Sequence, residues 1–320
     1  DRVLSAGLDR ATSKFFPALL SAAAGRLFNP QRPSRALLIG RRHYDLGNDL
    51  FRAMLDRRMI YSCALWETAA TLDEAQEAKL ELICRKLRLE PGMRLLDIGC
   101  GWGGLARYAA ETHGVRVTGV TVSERQVELG REVCRGLPVE IRLQDYREVE
   151  GRFDRVVSVG MFEHVGADNY RTFLKLVHRC LGEGDLFLLH TIGSNVSVRT
   201  TDPWVRAHIF PNSMVPSATQ IAAAAEGLFV LEDWHSLGPH YDRTLMAWHA
   251  NFVGAWDRLK AAYDERFFRM WRYYLLASAG SFRARSNQLW QVVFSKGGLR
   301  GEYRPSRPGW RSEGAADQGR

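Results

Sequence analysis

The residues able to do chemistry gather where apolar runs stop. In VVSVGMFEHVG, residues 156–166, a strand-like run breaks at Gly160 and then sets Glu163 beside His164. The next apolar run, FLLHTIG, ends on His190. Open α/β sheets bind ligands at the carboxyl ends of their strands, so these two runs bring a carboxylate and an imidazole to one rim. Either alone is as well explained by a structural hydrogen bond. With Tyr241 of GPHYDRTL joining from the segment after the sixth strand, they describe an apolar pocket with a small polar floor. A carboxylate, an imidazole and a phenol there can accept from and donate to a bound molecule.

A second constellation precedes the first. LLDIGCGWGG, residues 95–104, ends a strand and opens a helix, and its glycines let the backbone approach a ligand over a helix N-terminus. Gly99, Gly101 and Gly104 satisfy G-x-G-x-x-G, so a nicotinamide dinucleotide is one candidate. Two features speak against it. A long helical preamble comes first, and Asp97 sits inside the strand end. The D-x-G-x-G-x-G order of Asp97, Gly99, Gly101 and Gly103 is the form found in S-adenosylmethionine methyltransferases. The next strand ends in GVTVSERQ, where an acidic residue usually binds ribose hydroxyls. Thr121 stands there, with Gln126 downstream, and a hydroxyl with an amide can make the same bonds. The third strand ends in QDYRE. Its Asp145 can accept from an adenine amino group or cap a helix, and Tyr146 can pack against the ring.

The elements that must position these groups follow from Pro91 onward. MRLLDIG, VRVTGVTV, VEIRLQDY, FDRVVSVG and GDLFLLHTIG read as strands. GGLARYAAETH, SERQVELGREVCRGL and NYRTFLKLVHRCL read as helices between them, and FVLEDWHSLG and LWQVVFSKG as two further strands. The spacing predicts an α/β, Rossmann-like, seven-stranded and mostly parallel sheet with helices on both faces. An aromatic-rich helical insert over about 243–285 would cover a substrate. Upstream, helices are expected at about 45–58 and 73–88, the second capped at Asp73. Residues 1–34 are expected to form an amphipathic helical start and the Pro-broken linker that begins NPQRPS, 35–300 the methyltransferase-like domain with that insert, and 301–320 a basic disordered tail.

Composition narrows the class. The chain has 320 residues, 46% apolar, which supports a packed core. Net charge is +8, from 44 Lys and Arg against 36 Asp and Glu, which favours polyanionic partners. No nucleic-acid-binding module is recognisable. An anionic membrane surface is the alternative, with Arg26, Arg32, Arg35, Arg41 and Arg42 beside the amphipathic start as candidate contacts. An ordinary solvated basic face would look the same. Cysteines 63, 84, 100, 134 and 180 include no C-x-x-C pair, which argues against a zinc ribbon or a disulfide framework and suits a reducing cytoplasm. No metal site is expected. No apolar run reaches the ~20 residues of a spanning helix, so membrane contact is expected to be peripheral.

HYDLGNDLFRAML, YSCALW, LDIGCGWGG, VSVGMFEHVG, LLHTIG, FPNSMVPS, EDWHSLGPHYDRTLMAW and FRARSNQLWQVVFS together resemble the bacterial cyclopropane-fatty-acyl-phospholipid synthases, in order and spacing, from about Arg42 to Ser295. The resemblance implies S-adenosylmethionine as methyl donor and, as substrate, a cis double bond in an unsaturated phospholipid acyl chain. A carbocation forms, and a bound bicarbonate removes the proton that lets the ring close. Carried over by motif, Glu163, His190 and Tyr241 hold bicarbonate through side chains, and Cys63 and Ile192 largely through backbone. Tyr61, Ser62, Gly99, Gly101, Gly103, Thr121, Gln126 and Tyr146 carry over to the donor. His164 becomes a structural hydrogen-bonder. Relatives often place Cys in the slot that YYLLASAG fills with Ser278, so a nucleophilic cysteine there is excluded. The resemblance further implies a homodimer, the absence of the small N-terminal domain of longer relatives, and a location on the inner face of the cell membrane. Methyl branching without ring closure is the alternative outcome on the same skeleton.

Overall fold

The computed structural model describes residues 47–199, 201–211 and 213–307. The amphipathic start, the linker and its arginines, and the chain beyond 307 lie outside the described residues. In chain order the elements are α1 (Asn48–Met54), α2 (Leu72–Lys86), β1 (Arg94–Ile98), α3 (Gly104–His113), β2 (Arg116–Thr121), α4 (Glu124–Val133) and β3 (Val139–Leu143). Then come β4 (Phe153–Val159), α5 (Tyr170–Cys180), β5 (Leu181–Ser194), α6 (Pro203–His208), α7 (Ala218–Ala225) and β6 (Val230–Ser236). The insert α8 (Gly238–Gly254), α9 (Trp256–Leu259) and α10 (Glu265–Arg283) precedes β7 (Asn287–Ser295).

Among the described residues one seven-stranded sheet runs β3-β2-β1-β4-β5-β7-β6. Pairings from β3 to β5 are parallel, and β7 lies antiparallel between β5 and β6. Alternation along each strand divides the core. Leu96 of β1, Phe187 and Leu189 of β5 and Val292 and Phe294 of β7 pack with Phe173 of α5 and Ile221 of α7 on one face. Leu95, Leu186, Leu188 and Val293 point the other way, against Leu80 and Ile83 of α2, Leu105 of α3 and Val127 of α4. A third cluster sits under the insert, where Trp248, Phe252, Trp271 and Phe282 pack with Phe51 of α1 and Leu289 of β7. Trp248 and Trp271 are fully buried. Each removes on the order of 200 Å² from water, worth roughly 5 kcal/mol.

Four sequence expectations need correction. The first helix stops at Met54, because Asp56 accepts from the Ile60 and Arg58 amides (2.8 and 2.9 Å) and turns the chain into an extended segment. The cap of α2 is Thr71, in a capping box with Glu74, while Asp73 accepts from the Arg57 amide at 2.9 Å. The insert starts earlier, at Gly238, with Pro239 in the first turn, where a missing N–H does no harm. The described part of the expected tail is docked: buried Tyr303 donates to the Lys86 carbonyl (2.9 Å), and Arg307 reaches Asp233 (2.7 Å).

Candidate active site

A cavity of about 170 Å³ opens at the carboxyl ends of β1, β2 and β4. Its wall contains Tyr61, Ser62, Asp97, Gly99, Gly101, Thr121, Gln126, Asp145 and Tyr146. The glycine loop is shaped by contact as much as by turning. Gly99 has φ +84°, and a Cβ there would lie 2.6 Å from the Met161 Cβ. A Cβ on Gly104 would lie 2.4 Å from the Arg58 carbonyl oxygen. Gly103 is absent from the wall. It forms the left-handed N-cap of α3 and faces Cys134, the C-cap of α4, so it serves the turn and the helix packing.

Around the cavity the polar groups are largely preset. Thr121 donates to the Gln126 side-chain oxygen at 2.6 Å and accepts from the Ser123 amide at 3.3 Å, which leaves the Gln126 NH₂ as the donor toward a ligand. Burial pushes the Asp97 carboxyl up to about 7, and its Oδ2 meets no partner among the described residues. The cap reading of Asp145 holds, and it does not remove the residue from the cavity. It lines the cavity, and it caps a 3-10 turn through the Arg147 amide (2.9 Å) while binding the Arg147 guanidinium (2.9 Å). The Tyr146 hydroxyl is buried with no partner among the described residues, and its ring packs on Phe173. Tyr61 joins its hydroxyl to that of Tyr274 on α10 (2.9 Å).

The second constellation lies beside this cavity, not in its wall. Glu163 sits on a 3-10 turn after β4, buried, with Oε1 accepting from the Ile192 amide at 2.6 Å. Burial raises its carboxyl to about 7, and Oε2 has no partner among the described residues. His190 lies two residues before Ile192 on β5 and so faces the same side of the sheet. Its Nδ1 meets the Gln291 amide at 3.3 Å. With that amide donating, the proton sits on Nε2, which is buried without a partner among the described residues. Burial holds the ring neutral. Tyr241 and Cys63 belong to the same apolar cluster as Ile192, and the Tyr241 ring packs against Phe282 and Trp248 (4.6 and 5.9 Å). The Cys63 thiol is pushed far up by burial, as befits a wall residue. Of the Ile192 backbone, the amide donates to Glu163. His164 lines the cavity, neutral because burial lowers it to about 4, with its ring against Phe210. Ser278 lies on α10, outside the wall.

Two buried residues of α2 escaped the sequence reading. Gln76 donates to the Ser62 carbonyl (2.9 Å), and Lys79 donates to the Ser62 hydroxyl (2.9 Å). The available signal was two polar residues on the apolar face shared with Leu80 and Ile83.

Comparison with known proteins follows this geometry. Residues 31–292 match the family model described as mycolic acid cyclopropane synthetase. The chain is 55% identical over 296 residues to the cyclopropane-fatty-acyl-phospholipid synthase of Escherichia coli K12, covering 92% of this chain and 78% of that protein. It is 39% identical over 268 residues to a probable fatty acid methyltransferase of Pseudomonas putida, covering 79% and 68%. Among solved structures, the cyclopropane synthase MmaA2 of Mycobacterium tuberculosis superposes with a TM-score of 0.77 at 32% identity, over 81% of this chain and 98% of that one. The mycolic acid cyclopropane synthase CmaA1, complexed with SAH and CTAB, gives 0.76 at 32% identity, over the same shares.

Proposed function

The chain belongs to the mycolic acid cyclopropane synthetase family, and from that premise we propose how its two adjoining sites work. The protein is an S-adenosylmethionine-dependent methyltransferase that converts cis double bonds of unsaturated phospholipid acyl chains into cyclopropanes. The observation that carries the reading is the adjacency of the glycine-loop cavity to a buried, partly unpartnered polar set at the ends of β4 and β5.

The cavity residues suit the methyl donor. Gln126 offers donors to ribose hydroxyls, Asp145 and Tyr146 an adenine edge and face, and the loop glycines leave room for close approach. When bound, S-adenosylmethionine supplies an activated methyl group. The alkene's π pair would form the new carbon–carbon bond as the sulfonium–methyl bond breaks with its electrons going to sulfur, so that S-adenosylhomocysteine is the leaving group and a carbocation is left on the lipid. One C–H bond of the added methyl then gives its electrons to close the ring, and its proton departs. The aromatic rings of Tyr241, Trp248 and Phe282 give the cation π faces in a water-poor setting.

His190 resists taking a proton because burial disfavours its cation, and Glu163 has one carboxyl oxygen occupied by the Ile192 amide. The two orphaned atoms, Glu163 Oε2 and His190 Nε2–H, are an acceptor and a donor, which together suit bicarbonate. Its hydroxyl would reach Glu163, its oxygens would accept from His190 and Tyr241, and it would supply the proton acceptor. Reaching a bilayer double bond calls for peripheral contact with an anionic membrane face. No helix among the described residues is long and apolar enough to cross a membrane.

Incubation with unsaturated, anionic phospholipid vesicles and trideuteromethyl donor tests the reading. The fatty acids gain one carbon and keep two of three deuteriums, and turnover falls when bicarbonate is removed and when salt screens vesicle binding. A branched product retaining three deuteriums refutes ring closure.

A further inference from the structure

We propose that Lys79 and Ser62 form the carboxylate-recognition end of the cofactor cavity, with Lys79 acting through Ser62 as a positioning residue for the amino-acid carboxylate of the methyl donor. This rests on the reading that the cavity holds S-adenosylmethionine.

An ammonium has no lone pair, so in the 2.9 Å contact Lys79 Nζ donates and the Ser62 hydroxyl oxygen accepts. The hydroxyl proton must then point elsewhere, and no described residue accepts it. Gln76, one turn earlier on α2, clamps the main chain behind it by donating to the Ser62 and Ile60 carbonyls at 2.9 and 3.4 Å. Ser62 and Lys79 both line the cavity, at 5% and 1% exposure. The hydroxyl is therefore a donor held toward the cavity.

Charge balance points the same way. A buried ammonium is unfavourable unless compensated. The acidic groups facing Lys79 are Asp56 and Asp97, with the Cys63 thiol. Among the described residues none of them makes an ion pair with it. The Asp56 oxygens accept from the Ile60 and Arg58 amides, and Asp97 Oδ2 stands alone. A buried cation behind an aimed O–H calls for an anion with acceptor oxygens. S-adenosylmethionine carries a sulfonium, an ammonium and one carboxylate, and only the last answers.

The test is calorimetric binding of S-adenosylhomocysteine and its decarboxylated analogue to the full chain. Wild type is expected to favour the carboxylated ligand by about tenfold or more, as a charge-assisted contact implies. Lys79→Met should weaken S-adenosylhomocysteine about tenfold and the decarboxylated analogue less than threefold. Ser62→Ala should do the same, and it carries the test if the methionine variant does not fold. Combining both substitutions should add little to either. Equal weakening of both ligands overturns the proposal, because that is what a merely structural lysine would give. A change seen only in the bicarbonate dependence of turnover, with both affinities intact, also overturns it. Binding of neither ligand by wild type would remove the methyl-donor reading itself.

Discussion

Replacing Glu163 with Gln separates what the carboxyl does for the reaction from what it does to the fold. Burial lifts this carboxyl from its ordinary 4.5 to about 7. Between those values the folded chain holds a proton that the unfolded chain has released, so stability falls as pH rises through the window and levels off above about 7. At ~1.4 kcal/mol per pH unit the full effect is about 3 kcal/mol. Gln resembles the protonated acid and keeps the Ile192 contact. Its NH₂, placed where Oε2 has no partner, costs about 1–3 kcal/mol at every pH. The expected signature is a melting-temperature difference, variant minus wild type, that rises by roughly 5 °C between pH 4.5 and pH 8. Turnover should fall about 100-fold or more while donor affinity holds. Calorimetric scans across pH, with a vesicle assay alongside, measure both. Parallel melting curves would refute burial as the cause of the shifted carboxyl, and full turnover would refute its place in the reaction.

Two further outcomes follow from packing. Gly104→Ala puts a methyl 2.4 Å from the Arg58 carbonyl and the Ile60 side chain, so it should cost about 2–3 kcal/mol in denaturant unfolding. It should also weaken donor binding, because the displaced segment carries Tyr61 and Ser62. Asp233→Ala removes the counter-charge of Lys86, whose side chain is wholly buried 3.1 Å from that carboxylate and keeps only the His235 ring nitrogen at 3.1 Å, and should cost about 3–5 kcal/mol. With Asp233 outside the cavity wall, donor affinity should be unchanged; a loss there would show that the edge clasp reaches the site.

The strands were legible because alternating or continuous apolar runs leave few other options, and Leu95 and Leu96 do divide between the two faces. Strand order was not legible: nothing local to LWQVVFS says that β7 enters antiparallel between β5 and β6. The glycine loop and the Thr121–Gln126 pair were read from spacing, and one hydrogen bond joins that pair. The Glu163–Ile192 bond bridges residues 29 apart, a tertiary fact that no local pattern encodes. Asp73 and Thr71 compete for the same cap, and the capping box with Glu74 decides for threonine. Lys79 looked like any lysine in an amphipathic helix until its face was known.

The five thiols are all reduced, all buried, and spread over separate zones: the segment before α2, α2 itself, the glycine loop, and the ends of α4 and α5. Cys63, Cys84, Cys134 and Cys180 cannot be alkylated without a local opening of their own neighbourhoods, whereas Cys100 lines the cofactor cavity and its reactivity also depends on whether that cavity is filled. The chain thus carries five native sentinels, and the order in which a small alkylating agent reaches them would chart which zones breathe first, with no label engineered in.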